Sequence, residues 1–174
     1  MDKPLQPADS AFASTGAGNG PRHFTFHPGK KFAYLVEELS GTVVAYAYNN
    51  GNLKFLQRIS THPKNYKGGM GSADIHISPD GKFLYASNRG DANTITIFSI
   101  NKITGKLALK GYQPTSGKTP RNFIIDPTGN YLLVANQDTD NIVIFKRNKL
   151  TGLLKNTGKQ INIPKPVCLK MIKL

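Results

Sequence analysis

A framework that occurs three times constrains this chain more than any other feature of its sequence. Three prolines mark equivalent positions 51 and 48 residues apart: Pro28, Pro79 and Pro127. Around each proline lie four short runs rich in β-branched and aromatic residues, separated by polar or glycine-containing turns. Four short strands that recur every roughly 40 to 50 residues are typical of a β-propeller blade.

We therefore predict an all-β fold, a partial β-propeller of about three four-stranded blades plus a closing strand. The blades are expected at residues 20–67, 68–117 and 118–163. Residues 1–19 are expected to be the remnant of a preceding blade or disordered, and residues 164–174 the lone inner strand of a closing blade. A pair of stacked β-sandwich domains would also show short strands and many turns, but it gives no reason for three copies with turns in the same places.

Because propellers usually have about 4 to 8 blades, three blades leave both outer faces of the stack uncovered. The sequence is therefore expected to be the C-terminal part of a longer protein, and the start of the chain at Met1 is left open. An isolated chain of three blades is expected to be marginally stable, to aggregate, or to pair with a second copy through its open blade edges.

The net charge of +13 allows an anionic ligand, nucleic acid or a solvated lysine-rich surface. Most lysines fall in or beside predicted turns, without the interleaved aromatic residues that a single-strand binder needs. We therefore expect a solvated surface and no nucleic-acid partner. No apolar run is long enough to cross a membrane, and residues 1–19 lack the apolar core of a signal peptide, so a cytoplasmic protein is expected.

Cysteine and histidine are too sparse for a disulfide or a recognisable metal site. Cys168 is the only cysteine, and the four histidines have no second thiol or spaced carboxylate cluster beside them. No metal or other cofactor is expected.

The repeat also predicts where polar chemistry gathers. In an antiparallel pair the start of the first strand lies beside the end of the second, so positions six before and ten after each proline belong on one rim. The residues at these positions are Arg22, Glu38, Ala73, Arg89, Arg121 and Gln137. The next position along is also polar in every copy, where it holds His23, Asp74 and Asn122.

Two interpretations of this rim stay open. Arginines that converge with one glutamate can hold an anionic ligand and leave a carboxylate for proton transfer. Alternatively, Arg22 and Arg121 bond carbonyls of neighbouring blades, Glu38 pairs with an arginine, and Asp74 ties down the loop at residues 69–72.

Histidines outside the rim are interpreted more simply. His76 either lines the central channel or is a satisfied core histidine. His27, His62 and Cys168 are expected to be structural or surface residues.

Several motifs in order carry a resemblance to a known family: Gly20-Pro-Arg-His-Phe-Thr-Phe-His-Pro28, Glu38-Leu39, Ala73-Asp-Ile-His-Ile-Ser-Pro-Asp-Gly81, Tyr85-Ala-Ser-Asn-Arg89 and Pro120-Arg-Asn-Phe123. They resemble the C-terminal half of the seven-bladed β-propeller lactonase family. That family includes bacterial 6-phosphogluconolactonases and the fungal 3-carboxy-cis,cis-muconate lactonizing enzyme.

The resemblance implies a metal-independent lactone hydrolase of carbohydrate metabolism and the pentose phosphate pathway, with its site in the propeller mouth. Its catalytic residues fall on Arg22, Glu38 and Arg89, while His23, Asp74, His76 and Arg121 are expected to support binding of an anionic substrate, a phosphorylated sugar lactone or a carboxylate. A further histidine of the family comes from its N-terminal half and has no counterpart here. A muconate-type cycloisomerase and a non-catalytic fragment or scaffold remain alternatives.

Overall fold

The computed structural model describes residues 12–172 and contains three antiparallel sheets of four strands each. The first blade consists of β1 (Pro21–Phe26), β2 (Phe32–Glu37), β3 (Thr42–Asn49) and β4 (Asn52–Ser60). The second consists of β5 (Ser72–Ile77), β6 (Phe83–Asn88), β7 (Thr94–Ile100) and β8 (Leu107–Pro114). The third consists of β9 (Pro120–Ile125), β10 (Tyr131–Asn136), β11 (Asn141–Arg147) and β12 (Leu154–Asn162).

In every blade the strands are neighbours in chain order, so each sheet is an antiparallel meander. This confirms the predicted class, an all-β partial propeller, and the twelve strands lie within the three ranges predicted for the blades. The helical part of residues 12–172 is a single 3-10 turn at Gln137–Thr139. None of the described helical structure is long and apolar enough to span a membrane.

The core lies between the blades because alternate side chains of a strand point to opposite faces of its sheet. One apolar cluster joins the first and second blades and includes Tyr34, Leu84 and Phe98. Another joins the second and third blades and includes Phe123 and Phe145. Stacking of the sheets therefore brings the same end of each blade to a common mouth.

An aromatic residue packs on a glycine turn at both blade boundaries. Gly105 and Gly152 have φ values of +70° and +77°, and a Cβ at either would lie 2.3 Å from the ring of Phe32 or Phe83. The tyrosine two positions after each phenylalanine donates its hydroxyl to the carbonyl of the same glycine, at 2.9 Å and 2.8 Å. These joints fix the spacing between successive blades.

The predicted closing strand at residues 164–174 pairs with no described strand, and residues 163–172 have no regular secondary structure. The segment nevertheless docks on the third blade, since the Leu169 amide donates to Asn122 Oδ1 at 2.6 Å. The Lys165 amide donates to Asp140 Oδ1 at 2.9 Å. A strand needs a neighbour to complete its ladder, so the closing strand stays a prediction. Residues 1–11 and 173–174, which belong to the two predicted terminal segments, lie outside the described residues.

Candidate active site

One backbone hydrogen bond, repeated in all three blades, presents the rim residues that follow β2, β6 and β10. In each blade the amide of that residue donates to a carbonyl just before the inner strand, at distances of 2.7, 3.0 and 3.0 Å. The pairs are Glu38 with Gly20, Arg89 with Gly71, and Gln137 with Thr119. The same framework therefore carries a glutamate, an arginine and a glutamine at equivalent places, as the repeat predicted.

The carboxylate of Glu38 lies between two guanidinium groups. Arg22 Nε is 3.4 Å from Glu38 Oε2, and Arg89 Nη2 forms an ion pair with Glu38 Oε1. Arg22 Nη1 also donates to the carbonyl of Ala73 at 2.5 Å, and Arg89 Nε donates to that of Gly71 at 3.2 Å. The structure thus brings together three predicted residues from two blades. Arg22 also bonds a carbonyl of the neighbouring blade, as the second interpretation of the rim expected.

The mouth holds more guanidinium charge than carboxylate charge. The pKa of Arg22 is lowered by burial and then by the charge of Arg89, with a further lowering from Arg121; Glu38 and Asp74 oppose these effects. Arg121 is half-buried, and its guanidinium makes no hydrogen bond or ion pair to any residue of the described part of the chain. Three arginines near two carboxylates suit an anionic ligand, which would relieve their mutual repulsion.

Asp74, on β5, is the buried centre of the polar side chains below this rim. Its carboxylate accepts hydrogen bonds from His23 Nδ1 at 2.8 Å, from His76 Nε2 at 3.1 Å and from the Phe123 amide at 3.1 Å. Burial opposes ionisation, but the hydrogen bond and charge of His76 and the hydrogen bond of His23 lower its pKa to about 2. None of the side chain's hydrogen bonds goes to residues 69–72, so the expectation that it ties down this loop is wrong.

His76 has features of both predicted interpretations. Its Nε2 is satisfied by Asp74, while its side chain is 35% exposed and its ring meets Phe123 edge to face at 4.8 Å. His27 bonds the Gly81 carbonyl at 2.9 Å, in agreement with a structural role. His62 is buried and Cys168 is exposed, and neither contributes to the rim contacts described above. Within residues 12–172, no group of three or more His, Cys, Asp or Glu side chains is arranged to hold a metal ion.

Asn122 belongs to this cluster, although sequence reasoning did not place it among the site residues. Its Nδ2 donates to Asp74 Oδ2 at 2.5 Å, while its Oδ1 accepts from the amide of Leu169. The available signal was a polar residue at the position that His23 and Asp74 occupy in the other two copies. That signal indicated polarity at the mouth without indicating a partner.

Stacked antiparallel blades with an arginine and glutamate rim define a β-propeller whose mouth is suited to an anionic ligand. The sequence matches the family model described as "Lactonase, 7-bladed beta-propeller" over residues 2–171, and the chain belongs to this family. This agrees with the resemblance found in its motifs.

Relatives support the assignment along most of the chain. A 6-phosphogluconolactonase of Formosa agariphila is 52% identical over 96% of this chain and 47% of its own length. A 6-phosphogluconolactonase of Bacillus subtilis is 38% identical over 94% of this chain and 47% of its own length. The solved structure of a periplasmic gluconolactonase of Pseudomonas aeruginosa is 38% identical, with a TM-score of 0.92 over 97% of this chain and 47% of that one. The chain therefore spans about half the length of these relatives.

Proposed function

We propose that the arginine and glutamate rim serves the hydrolysis of an anionic sugar lactone such as 6-phosphogluconolactone. The position of Glu38 between Arg22 and Arg89 carries this proposal. The names of the relatives support a lactone as the substrate. The phosphorylated substrate is supported by the excess of guanidinium charge, which Arg121 increases.

The chemistry assigns a separate task to each kind of side chain. Glu38 takes a proton from the attacking water, whose oxygen bonds to the lactone carbonyl carbon. Arg22 and Arg89 stabilise the resulting oxyanion, an effect worth about 3 kcal/mol for a well-placed donor. The bond between this carbon and the ring oxygen then breaks, and the ring oxygen receives the proton from Glu38. The products are a hydroxyl group and a carboxylic acid, which ionises to a carboxylate by releasing its proton to water.

The ion pairs of Glu38 connect binding to this chemistry. In the free site both arginines contact its carboxylate, which restricts the oxygens available to water. An incoming anion competes for the guanidinium groups and frees one carboxylate oxygen. Binding of the anionic group thereby prepares the base that the hydrolysis requires.

The full 174-residue chain tests this proposal directly. We expect it to open 6-phosphogluconolactone faster than the uncatalysed reaction, and to bind the stable product 6-phosphogluconate in calorimetry. Cyclisation of a muconate without lactone opening would favour the cycloisomerase alternative. If the chain shows no activity and does not bind the product, a non-catalytic fragment or scaffold is favoured and the proposal for this chain is overturned.

We propose a cytoplasmic location, which the composition of the chain favours. A relative from Pseudomonas aeruginosa is named a periplasmic gluconolactonase, so membership of the family is compatible with either compartment. Fractionation of cells that express the native gene distinguishes the two.

A further inference from the structure

The three blades carry His23, Asp74 and Asn122 at the same position of the repeat, and these side chains form a chain of hydrogen bonds across the mouth. His23 Nδ1 is 2.8 Å from Asp74 Oδ1, and Asn122 Nδ2 is 2.5 Å from Asp74 Oδ2. Asp74 is the middle member and is 3% exposed. Its carboxylate therefore connects side chains from all three blades.

Asp74 links its blade to the next backbone segment, and it also carries a buried negative charge. Its Oδ2 accepts the amide of Phe123 in the following blade, and the equivalent Asn122 Oδ1 accepts the amide of Leu169 in the following segment. A neutral amide therefore suffices to link one blade to the next backbone segment. Burial of a charge costs free energy, so the link between blades does not explain why position 74 holds a carboxylate instead of an amide.

The reason for the carboxylate is the pair of histidines. An ionised carboxylate only accepts hydrogen bonds, so both imidazoles must direct an N–H group at Asp74. His23 then carries its proton on Nδ1 and leaves Nε2 without a proton, while His76 carries its proton on Nε2. An asparagine at position 74 would have one acceptor oxygen, which could not satisfy both histidines and Phe123 in the same way.

The orientation of the His23 ring affects Arg22 on the rim, because the two side chains are in contact. Arg22 Nη1 lies 3.1 Å from His23 Nε2 and 3.3 Å from Nδ1, so the guanidinium rests against the imidazole ring. The other end of the same guanidinium faces Glu38 at 3.4 Å. A rotation of the His23 ring would remove the surface on which Arg22 lies.

We propose that Asp74 is a positioning residue of this site, which fixes the ring orientation and tautomer of His23 and thereby holds the Arg22 guanidinium in place beside Glu38. Its effect on ligand binding rests on the function proposed above. Its effect on His23 does not, because that is a property of the free protein.

Nitrogen-15 NMR of the four imidazoles in the full chain tests the proposal, with histidine signals assigned by single His→Gln variants. In the neutral form of each imidazole we expect His23 to be the Nδ1–H tautomer and His76 the Nε2–H tautomer. Asp74→Asn should abolish the fixed Nδ1–H tautomer of His23. Wild-type His23 in the Nε2–H form would overturn the proposal even if the variant does not fold.

Binding of 6-phosphogluconate provides the second readout. We expect Asp74→Asn to weaken it at least about tenfold, which corresponds to about 1.4 kcal/mol. The matched control is Asp80→Asn, which removes the same charge from the turn after β5, where Asp80 meets Arg147 instead of the mouth. Equal affinity in wild type and Asp74→Asn would show that Asp74 does not position the site. If the wild type neither binds the product nor opens the lactone, the proposed function fails, while the tautomer measurement still decides the role of Asp74.

Discussion

The side chains of Glu38 and Arg89 form an ion pair across the boundary between the first and second blades, although 51 residues separate them in the chain. Each follows the second strand of its blade and is presented by the same backbone hydrogen bond. Two copies of one framework thus supply opposite charges to a single site. The repeated backbone brings the two positions together, and the difference in side chain between the copies makes the contact an ion pair.

Replacement of Glu38 by Gln should nearly abolish lactone opening and change the free energy of unfolding little. The amide keeps the shape of the side chain but cannot take a proton from water. Initial rates with 6-phosphogluconolactone and urea unfolding of the same preparation measure the two effects. Wild-type turnover in this variant would remove Glu38 from the mechanism.

The adjacent Glu37→Gln change is the matched contrast. Glu37 is fully buried and pairs with Arg58, at 2.9 Å between Oε2 and Nε. We expect a loss of stability of at least about 1 kcal/mol, because a hydrogen-bonded buried charge is removed. Affinity for 6-phosphogluconate should stay within about twofold of wild type, since neither residue contacts the rim arginines. A stable variant that has lost binding would contradict this division of roles.

Arg121→Met should weaken binding of 6-phosphogluconate by about tenfold and make it less sensitive to salt. The expectation follows because Arg121 is the rim arginine without a partner in the described part of the chain. Lys102→Met removes the same charge from an exposed turn after β7 and serves as the control. Calorimetry at two ionic strengths measures both quantities, and identical losses in the two variants would indicate a general effect of net charge.

The acid stability of the protein should depend on Asp74. Its pKa in the folded protein is about 2, below the ordinary value of 3.8, so ionised Asp74 stabilises the fold above about pH 4. This contribution, about 2 kcal/mol, is lost as the pH falls from about 4 towards 2. Asp74→Asn should therefore show a smaller fall in the free energy of urea unfolding over this interval. An unchanged pH dependence would show that the carboxyl group is not selectively ionised in the folded protein.

Alanine at the turn glycines should reveal the energy of the blade joints. Gly51 has φ +86° and open space around its would-be Cβ, whereas at Gly105 the Phe32 ring lies 2.3 Å away. Gly51→Ala should cost about 1 kcal/mol from backbone strain alone. Gly105→Ala should cost about 1 to 3 kcal/mol more because of the overlap. Denaturant unfolding measures the difference, and equal losses would mean that the joint is easily repacked.

Self-association of the chain through its open blade edges also remains a prediction. Phe24 and Phe26 on the first blade are 41% and 50% exposed, and Tyr131 on the third is 42% exposed. A cavity of about 390 Å³ lies beside Tyr131, Leu133 and Ile144. We expect concentration-dependent association in sedimentation experiments, which Phe26→Lys should reduce. A monodisperse monomer that melts cooperatively would contradict the expectation.

The sequence by itself determined the strands, the blades and the positions that form the rim. Strand pattern and turn residues act locally, and their repetition places Arg22, Glu38 and Arg89 at one end of the stack. The same reasoning separates Glu38 from its neighbour Glu37, since only Glu38 stands at the repeated rim position. The roles of these residues in catalysis stay predictions.

The tertiary structure alone decided which side chains meet. It pairs Glu38 with two arginines, leaves Arg121 free of partners among the described residues, and gathers His23, His76 and Asn122 around Asp74. A side chain's partners depend on the distance and angle between blades, which are set by packing of residues far apart in the chain. The periodicity of a sequence therefore predicts a polar mouth, and only the packed blades show which of its charged side chains pair with one another.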